Sequence, residues 1–124
     1  MRKQKLSEQI SDVLTFFDWA QKEYEEKQNE VDHHNDMTQD ILHSFELDGL
    51  LYDDRAKLAT KLTKCRQSRR IAKDEVITLD PLMELLSSDK GKQFTRQLSE
   101  VLGKTRGAER RLENRVYNKR CTNT

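Results

Sequence analysis

Arginines at helical spacing give the chain its clearest chemistry. Between Lys61 and Lys73, four cations recur at steps of three and four and share one face of a helix: Arg66, Arg69, Arg70 and Lys73. A second array lies near the C-terminus: Arg106, Arg110, Arg111, Arg115, Lys119 and Arg120. The planar guanidinium group binds phosphate or ribose edges through two hydrogen bonds at once. Both arrays predict either contact with an anionic ligand or salt bridges to an acidic helix of the same protein.

The distribution of charge indicates what kind of anion would fit. Residues 1–50 carry 5 basic and 12 acidic side chains, net −7, and residues 51–124 carry 18 basic and 10 acidic, net +8. Proteins that bind duplex nucleic acid usually have a pI above about 9, whereas this chain has a pI of about 7.8. A compact anion is therefore favoured over nucleic acid. Phe94 and Tyr117 are placed either to stack on a base or to pack in the core and tail.

Other constellations are weaker. Residues 30–36, with Asp40 and His43, cluster histidines and carboxylates, but the Glu-x-x-His pair of a di-metal bundle occurs once, so we interpret the cluster as a solvated acidic face. Glu23 and Glu26 match half of a pyrophosphatase pattern whose second half is missing. Phosphate loops, dinucleotide fingerprints and nucleophile elbows are not found. We predict a protein that is not an enzyme and that has no metal or cofactor, with Cys65 and Cys121 as free thiols.

The elements that would carry these residues are helices. Apolar side chains at alternating steps of four and three predict a first helix from about Ser7 to Leu47, ended by Asp48 and Gly49. Its middle is so polar that it needs either a partner helix or a break near Asn35-Asp36. A second helix is expected from an Asp53 N-cap, with a stripe that consists of Ala59, Leu62, Cys65, Arg69, Ala72, Val76 and Leu79.

The C-terminal half is divided by proline and glycine. Asp80-Pro81 predicts a kink followed by a short helix at 82–86, and residues 87–91 predict a loop. A third helix is expected over about residues 92–114. Gly103 and Gly107, one turn apart, indicate close packing against another helix, an early helix end, or backbone exposed beside a ligand. Val116-Tyr117 is a candidate short strand.

Composition supports one helical domain over residues 1–124. Apolar residues make up 34% and charged residues 36%, so the core must be thin, and one proline and four glycines do not supply the turns of a barrel or sandwich. No apolar run approaches the roughly 18 residues of a membrane span, and we expect a cytoplasmic protein. The predicted fold is mostly α, a long helical hairpin plus a third helix. Because its stripes are narrow, we expect a homo-oligomer.

Several motifs together resemble a known family. They are Gln39–Leu47, Arg55–Leu62, Arg66–Arg70, Lys73-Asp74, Leu79–Leu82, Leu102–Arg106 and Glu113–Tyr117. In this order they resemble the phage anti-Thoeris sponge family, in its first described type, over residues 39–120. The resemblance implies a phage-encoded protein that binds glycocyclic ADP-ribose in the cytoplasm of the infected bacterium and withholds it without degrading it. It further implies ligand sites between protomers and, in some members, a second pocket for cyclic di- or trinucleotides.

The resemblance also implies which residues contact the ligand. Arginines of the middle helix correspond to Arg66 or Arg69, and those near the C-terminus to Arg115 or Arg120. The adenine would lie against Phe94, with Gln93 or Gln97 as the amide. With the residues singled out above, the predicted ligand-binding set is Arg66, Arg69, Arg70, Phe94, Arg115, Tyr117 and Arg120. The alternative is a phage inhibitor or adaptor that contacts other proteins through its acidic first helix, and a nucleic-acid-binding protein ranks third.

Overall fold

Three helices make up the described part of the chain. In the computed structural model, which describes residues 4–115, α1 spans Leu6–Leu47, α2 spans Tyr52–Ser87 and α3 spans Asp89–Glu113. The predicted limits of the first helix are confirmed to within one residue, and α1 continues through Asn35 and Asp36 without a break. No helix of the described residues is long and apolar enough to cross a membrane.

The polar middle of α1 is stabilised by α2, which runs antiparallel to it. Their contact is built from small side chains: Ala20 is 0% exposed, Ala72 1% and Val76 2%. Val31 joins Ala72 and Val76 in the core cluster, and the half-buried Tyr24 packs against it. The inward positions of α2 recur at steps of four and three, the heptad pattern of helices that pack side by side over a long distance: Leu58, Leu62, Cys65, Arg69, Ala72, Val76, Leu79, Met83 and Leu86.

A polar network fixes the register of the two helices. The ammonium Nζ of Lys27 on α1 lies 3.3 Å from a carboxylate oxygen of Glu75 on α2, and it also contacts Glu30 at 3.3 Å and Glu23 at 3.7 Å on its own helix. The hydrogen bond to Glu75, and then that to Glu30, raises the pKa of Lys27 above 10.5. A one-residue slip of α2 would take Glu75 away from Lys27, so this pair opposes slippage.

The third helix packs on the N-terminal third of α1. The Glu109 carboxylate accepts hydrogen bonds from the Ser7 hydroxyl at 2.5 Å and from the Ser7 backbone N–H at 3.3 Å. A negative group at this place stabilises α1, because the first N–H groups of a helix have no partner within the helix. Lys5 forms an ion pair with Glu113 at 2.8 Å, which lowers the pKa of Glu113. α2 and α3 therefore follow one another along α1 in the same direction.

The expected loop between the second and third helices is one residue long. Only Ser88 separates α2 from α3, and its hydroxyl donates to the Leu85 carbonyl at 2.6 Å and accepts from the Gly91 N–H at 3.0 Å. A Cβ at Gly91 would lie 1.8 Å from the Leu85 carbonyl oxygen. The prediction of a five-residue loop was therefore wrong. Ser88 alone connects the two helices and caps α3, and Gly91 lies directly against Leu85.

Two other boundaries differ from expectation. α2 begins after Leu51, which has no side-chain cap, and Asp53 lies in its first turn rather than at the N-cap. Pro81 lies inside α2 instead of dividing it. An internal proline costs about 3 kcal/mol, but the inward positions Leu79, Met83 and Leu86 continue on both sides of Pro81, so packing on α1 keeps the helix continuous.

Gly103 and Gly107 of α3 are not packing points within the described chain. No atom lies within 4 Å of a Cβ built at Gly103, and only the guanidinium of Arg111 approaches one at Gly107, at 3.8 Å. The helix does not end at either residue. Close packing against a helix of the same protomer is therefore not what these glycines provide. The candidate strand at Val116-Tyr117 lies outside the described residues.

Substitution of Gly91 by Ala is expected to lower the free energy of unfolding by about 1–3 kcal/mol, the usual cost of forced overpacking. The methyl group would overlap the Leu85 carbonyl. Gly103→Ala, on the same helix with open space around it, should instead stabilise the protein by up to about 1 kcal/mol. Urea unfolding followed by circular dichroism measures both. Equal effects of the two substitutions would contradict the close approach at Gly91.

Lys27→Met is expected to lower the free energy of unfolding at neutral pH, because three glutamates would then face each other without a cation. Since the pKa of Lys27 is raised above 10.5 in the folded protein, its contribution is complete below that pH and is lost as the pH rises through the folded value. Urea unfolding between about pH 8 and pH 11.5 should show the difference from wild type shrinking. Lys22→Met, at an exposed position of α1, is the control and should show no such trend.

Candidate functional site

Three of the five arginines predicted to bind a ligand share one open groove on α2. Arg66, Arg69 and Arg70 line a depression of about 470 Å³. The remaining lining residues are uncharged: Leu62, Thr63 and Gln67. Arg66 and Arg70 are exposed and Arg69 is half-buried. The helical spacing thus brings the guanidinium groups together as expected, and we call this surface the arginine groove.

A residue of α1 orients the central arginine. The side-chain carbonyl of Asn35 accepts a hydrogen bond from Nε of Arg69 at 2.6 Å. This bond uses the inner edge of the guanidinium group and leaves its two terminal nitrogens available for a ligand. Asn35 was predicted only as part of a possible helix break, and not as a partner of Arg69. The signal that would have identified Asn35 is its position directly opposite an inward arginine of α2.

The acidic first helix does not neutralise the groove. Among residues 4–115, neither Arg66 nor Arg69 forms an ion pair, and Arg70 has one contact of 3.9 Å to Asp74 on its own helix. Both side chains of that pair are more than 60% exposed, where such a contact contributes little. The pair that does join α1 to α2 has the opposite polarity, a lysine of α1 with a glutamate of α2. Within the described residues, salt bridges to α1 therefore do not hold Arg66, Arg69 and Arg70 in place.

A second basic surface on α2 was not predicted. Lys57, Lys61 and Lys64 recur at steps of four and three and line a cleft of about 370 Å³ together with His34 of α1. The prediction considered only the arginine-rich side of the helix, although the spacing of the lysines was visible in the sequence. α2 therefore presents cations on both sides of its contact with α1.

The thiol and the histidines belong to the helix contact. Cys65 is 4% exposed, and its Sγ donates to the His34 backbone carbonyl at 3.2 Å and lies 3.7 Å from both His34 Nδ1 and Thr38 Oγ1. The rings of His33 and His34 are 5.5 Å apart. Within the described part of the chain, no three His, Cys, Asp or Glu side chains are grouped as a metal site requires. Cys121 lies outside the described residues.

Phe94, the predicted stacking residue, lies where the three helices meet. It lines an apolar cavity of about 340 Å³ with Phe17, Leu86, Lys90 and others, and its side chain is 55% exposed. The aromatic ring is available, but its neighbours are apolar apart from Lys90.

The C-terminal array is described only in part. Arg106 and Arg110 line a cavity of about 500 Å³ that also contains Glu109 and Glu113, so carboxylates share it with the cations. Arg115 is exposed just beyond α3. Tyr117 and Arg120, both predicted ligand contacts, lie outside the described residues.

The described candidate residues do not converge within one protomer. Arg69 contacts Asn35 of α1, Phe94 shares a cavity with Phe17, and Glu113, next but one to Arg115, pairs with Lys5. At 1.5 Å per residue, Asn35 and Phe17 lie about 27 Å apart along α1, and Asn35 and Lys5 lie about 45 Å apart. A ligand of nucleotide size bound in the arginine groove does not reach the other two positions of the same protomer.

No protein-family model matches the sequence. Comparison with curated proteins and with solved structures gives no match either.

Proposed function

We propose that this protein is a sponge for a small anionic nucleotide signal, which it binds in the arginine groove and holds intact. The observation that carries the proposal is the groove itself, in which Arg66 and Arg69 have no ion pair among the described residues although α1 is rich in carboxylates. Guanidinium groups without a carboxylate partner are suited to bidentate binding of phosphate. The ligand class we propose is the cyclic ADP-ribose signal implied by the sequence resemblance, with cyclic di- or trinucleotides as the next candidates.

The affinity required is within reach of these groups, provided that the ligand is enclosed. A nanomolar dissociation constant corresponds to about 12 kcal/mol, and each charge-assisted hydrogen bond contributes about 1.5–3 kcal/mol. Three arginines supply part of this, and the rest requires burial of the base. The groove of one protomer is an open surface of α2, so we propose that a second protomer closes it in a homo-oligomer. Measured along the axis of α1, Phe94 and Arg115 lie too far from the groove to reach that ligand from the same chain.

The proposed action is removal of the signal by mass action. A sponge succeeds when its dissociation constant for the signal is well below that of the host protein that responds to the signal, and when its copies outnumber the signal molecules. Because the ligand is bound and not converted, its release on denaturation restores an active signal. We place this activity in the cytoplasm of a phage-infected bacterium.

Storage and degradation are separated by a release assay. The protein is incubated with glycocyclic ADP-ribose, passed through a desalting column and heat-denatured, and the supernatant is analysed by mass spectrometry. The proposal expects intact cyclic ADP-ribose in the supernatant. A hydrolysed product would show an enzyme, and a supernatant without nucleotide would refute the proposed ligand class.

Arg69→Ala and Arg66→Ala are each expected to weaken ligand binding about 10- to 100-fold, the loss of one charge-assisted interaction. Arg55→Ala, which removes an exposed arginine of α2 outside the groove, is the matched control and should change binding little. Isothermal titration calorimetry measures affinity, and circular dichroism and sedimentation monitor folding and assembly. If Arg69→Ala dissociates the oligomer, the arginine is structural. If charge reversal of the exposed Glu25 and Glu26 abolishes anti-defence activity while the arginine variants do not, the protein acts through contacts with another protein.

A further inference from the structure

Two rows of opposite charge, exposed at most of their positions, run along different helices of the protomer. On α3, residues at alternating steps of four and three form a basic row that consists of Lys90, Phe94, Gln97, Val101, Lys104, Ala108, Arg111 and, just beyond the helix, Arg115. On α1, the same spacing gives an acidic row that consists of Asp12, Phe16, Trp19, Glu23, Glu26 and Glu30. Steps of four and three place side chains along one line of a helix, the arrangement by which long helices pack together.

Both rows expose large apolar groups between their charges. On the basic row, Phe94 is 55% and Val101 46% exposed, and on the acidic row, Phe16 is 49% and Trp19 53% exposed. The Phe16 and Trp19 rings stack with centroids 6.0 Å apart, and Trp19 borders a cavity of about 230 Å³ that also contains Glu23 and Lys27. A row of this kind on a helix in water is typical of an interaction surface.

The charges on the two rows are complementary. The basic row carries four cations that form no ion pair among the described residues: Lys90, Lys104, Arg111 and Arg115. The acidic row carries four carboxylates, and even with Lys27, which contacts Glu23 and Glu30, its net charge is −3. From Asp12 to Glu30 this row is about 27 Å long, and the basic row from Lys90 to Arg111 about 31 Å. Within one protomer the two rows have no ion pair between them in the described chain.

We propose that the protein self-associates by packing the basic row of one copy on the acidic row of another, in a two-fold dimer in which each copy supplies one of each. The occupant of each row is then a second copy of this chain, because the same molecule carries a matching surface of opposite charge, similar length and similar apolar content. Reciprocal contacts of this kind close on themselves. This interface is separate from the contact that closes the arginine groove in the proposed function, and it does not depend on the identity of the ligand.

Changing the charge of one row is the first test. Lys104→Glu with Arg111→Glu lowers the net charge of the basic row from +4 to 0, and Asp12→Lys with Glu26→Lys raises that of the acidic row, Lys27 included, from −3 to +1, all at exposed positions. Each double variant is expected to self-associate at least about tenfold more weakly than the wild type, because the two facing rows no longer carry opposite net charges. Lys92→Glu with Arg96→Glu alters the same charges at exposed positions that lie outside the basic row on α3 and should leave association unchanged. Sedimentation equilibrium measures the constants, and circular dichroism confirms helicity.

Mixing the two variants is the second test. The mixed dimer keeps one wild-type contact, between the unchanged basic row of one copy and the unchanged acidic row of the other, so an equimolar mixture is expected to associate more tightly than either variant alone. A monomeric wild type, unchanged association of either double variant, equal weakening by the control, or a mixture that stays monomeric would each overturn the proposal. Ligand titrations of the same proteins keep the two proposals apart. If the wild type dimerises but binds no ligand, the sponge is refuted and the interface is not. If the wild type binds the ligand but its association does not respond to the charges of the rows, the interface is refuted and the sponge is not.

Discussion

The structure depends on the long, narrow contact between α1 and α2. Its most buried side chains are alanines and one valine, so the two helices approach closely while burying little apolar area per turn. Since burial stabilises by roughly 25 cal/mol per Å², such a contact is sufficient only if it extends over many turns. This accounts for helices of 42 and 36 residues and for a continuous α2 at Pro81, because a break there would forfeit the turns that follow.

A contact made of small groups also decides where the charges go. Lys27 and Glu75 are placed at its edge and fix the register, and Asn35 rather than a carboxylate meets Arg69. An aspartate at position 35 would pair with Arg69 and neutralise its charge. An amide orients the guanidinium group without removing its charge, and for this reason the groove can be proposed as an anion site although half of the chain is acidic.

The sequence predicts the parts of this structure that follow from periodicity. The steps of three and four in α1, and the stripe through Cys65, Ala72 and Val76, identify the helices and most of the buried positions. Local rules failed where contacts at a distance outweighed them. Pro81 and Asp80 have the form of a helix boundary, but packing on α1 on both sides is worth more than the lost hydrogen bond. Residues 87–91 have the composition of a loop, yet the Ser88 hydroxyl joins two helices directly. For the candidate site, spacing predicted that the arginines share a face, whereas the position of Phe94 relative to them depends on the turn at Ser88, which no local pattern encodes.

That turn has a consequence for assembly. Because α3 continues along α1 toward its N-terminus, its cations lie far from the arginine groove and close to the N-terminal end of α1, where Ser7 donates to Glu109. A dimer formed through the basic and acidic rows would occupy α1 between Asp12 and Glu30, whereas Arg69 contacts Asn35 beyond that stretch. The proposed interface therefore leaves the groove uncovered. Enclosure of a ligand requires a separate contact between dimers, and assembly in two stages would allow the ligand itself to drive the second, since anions bridging two grooves relieve the repulsion between their arginines.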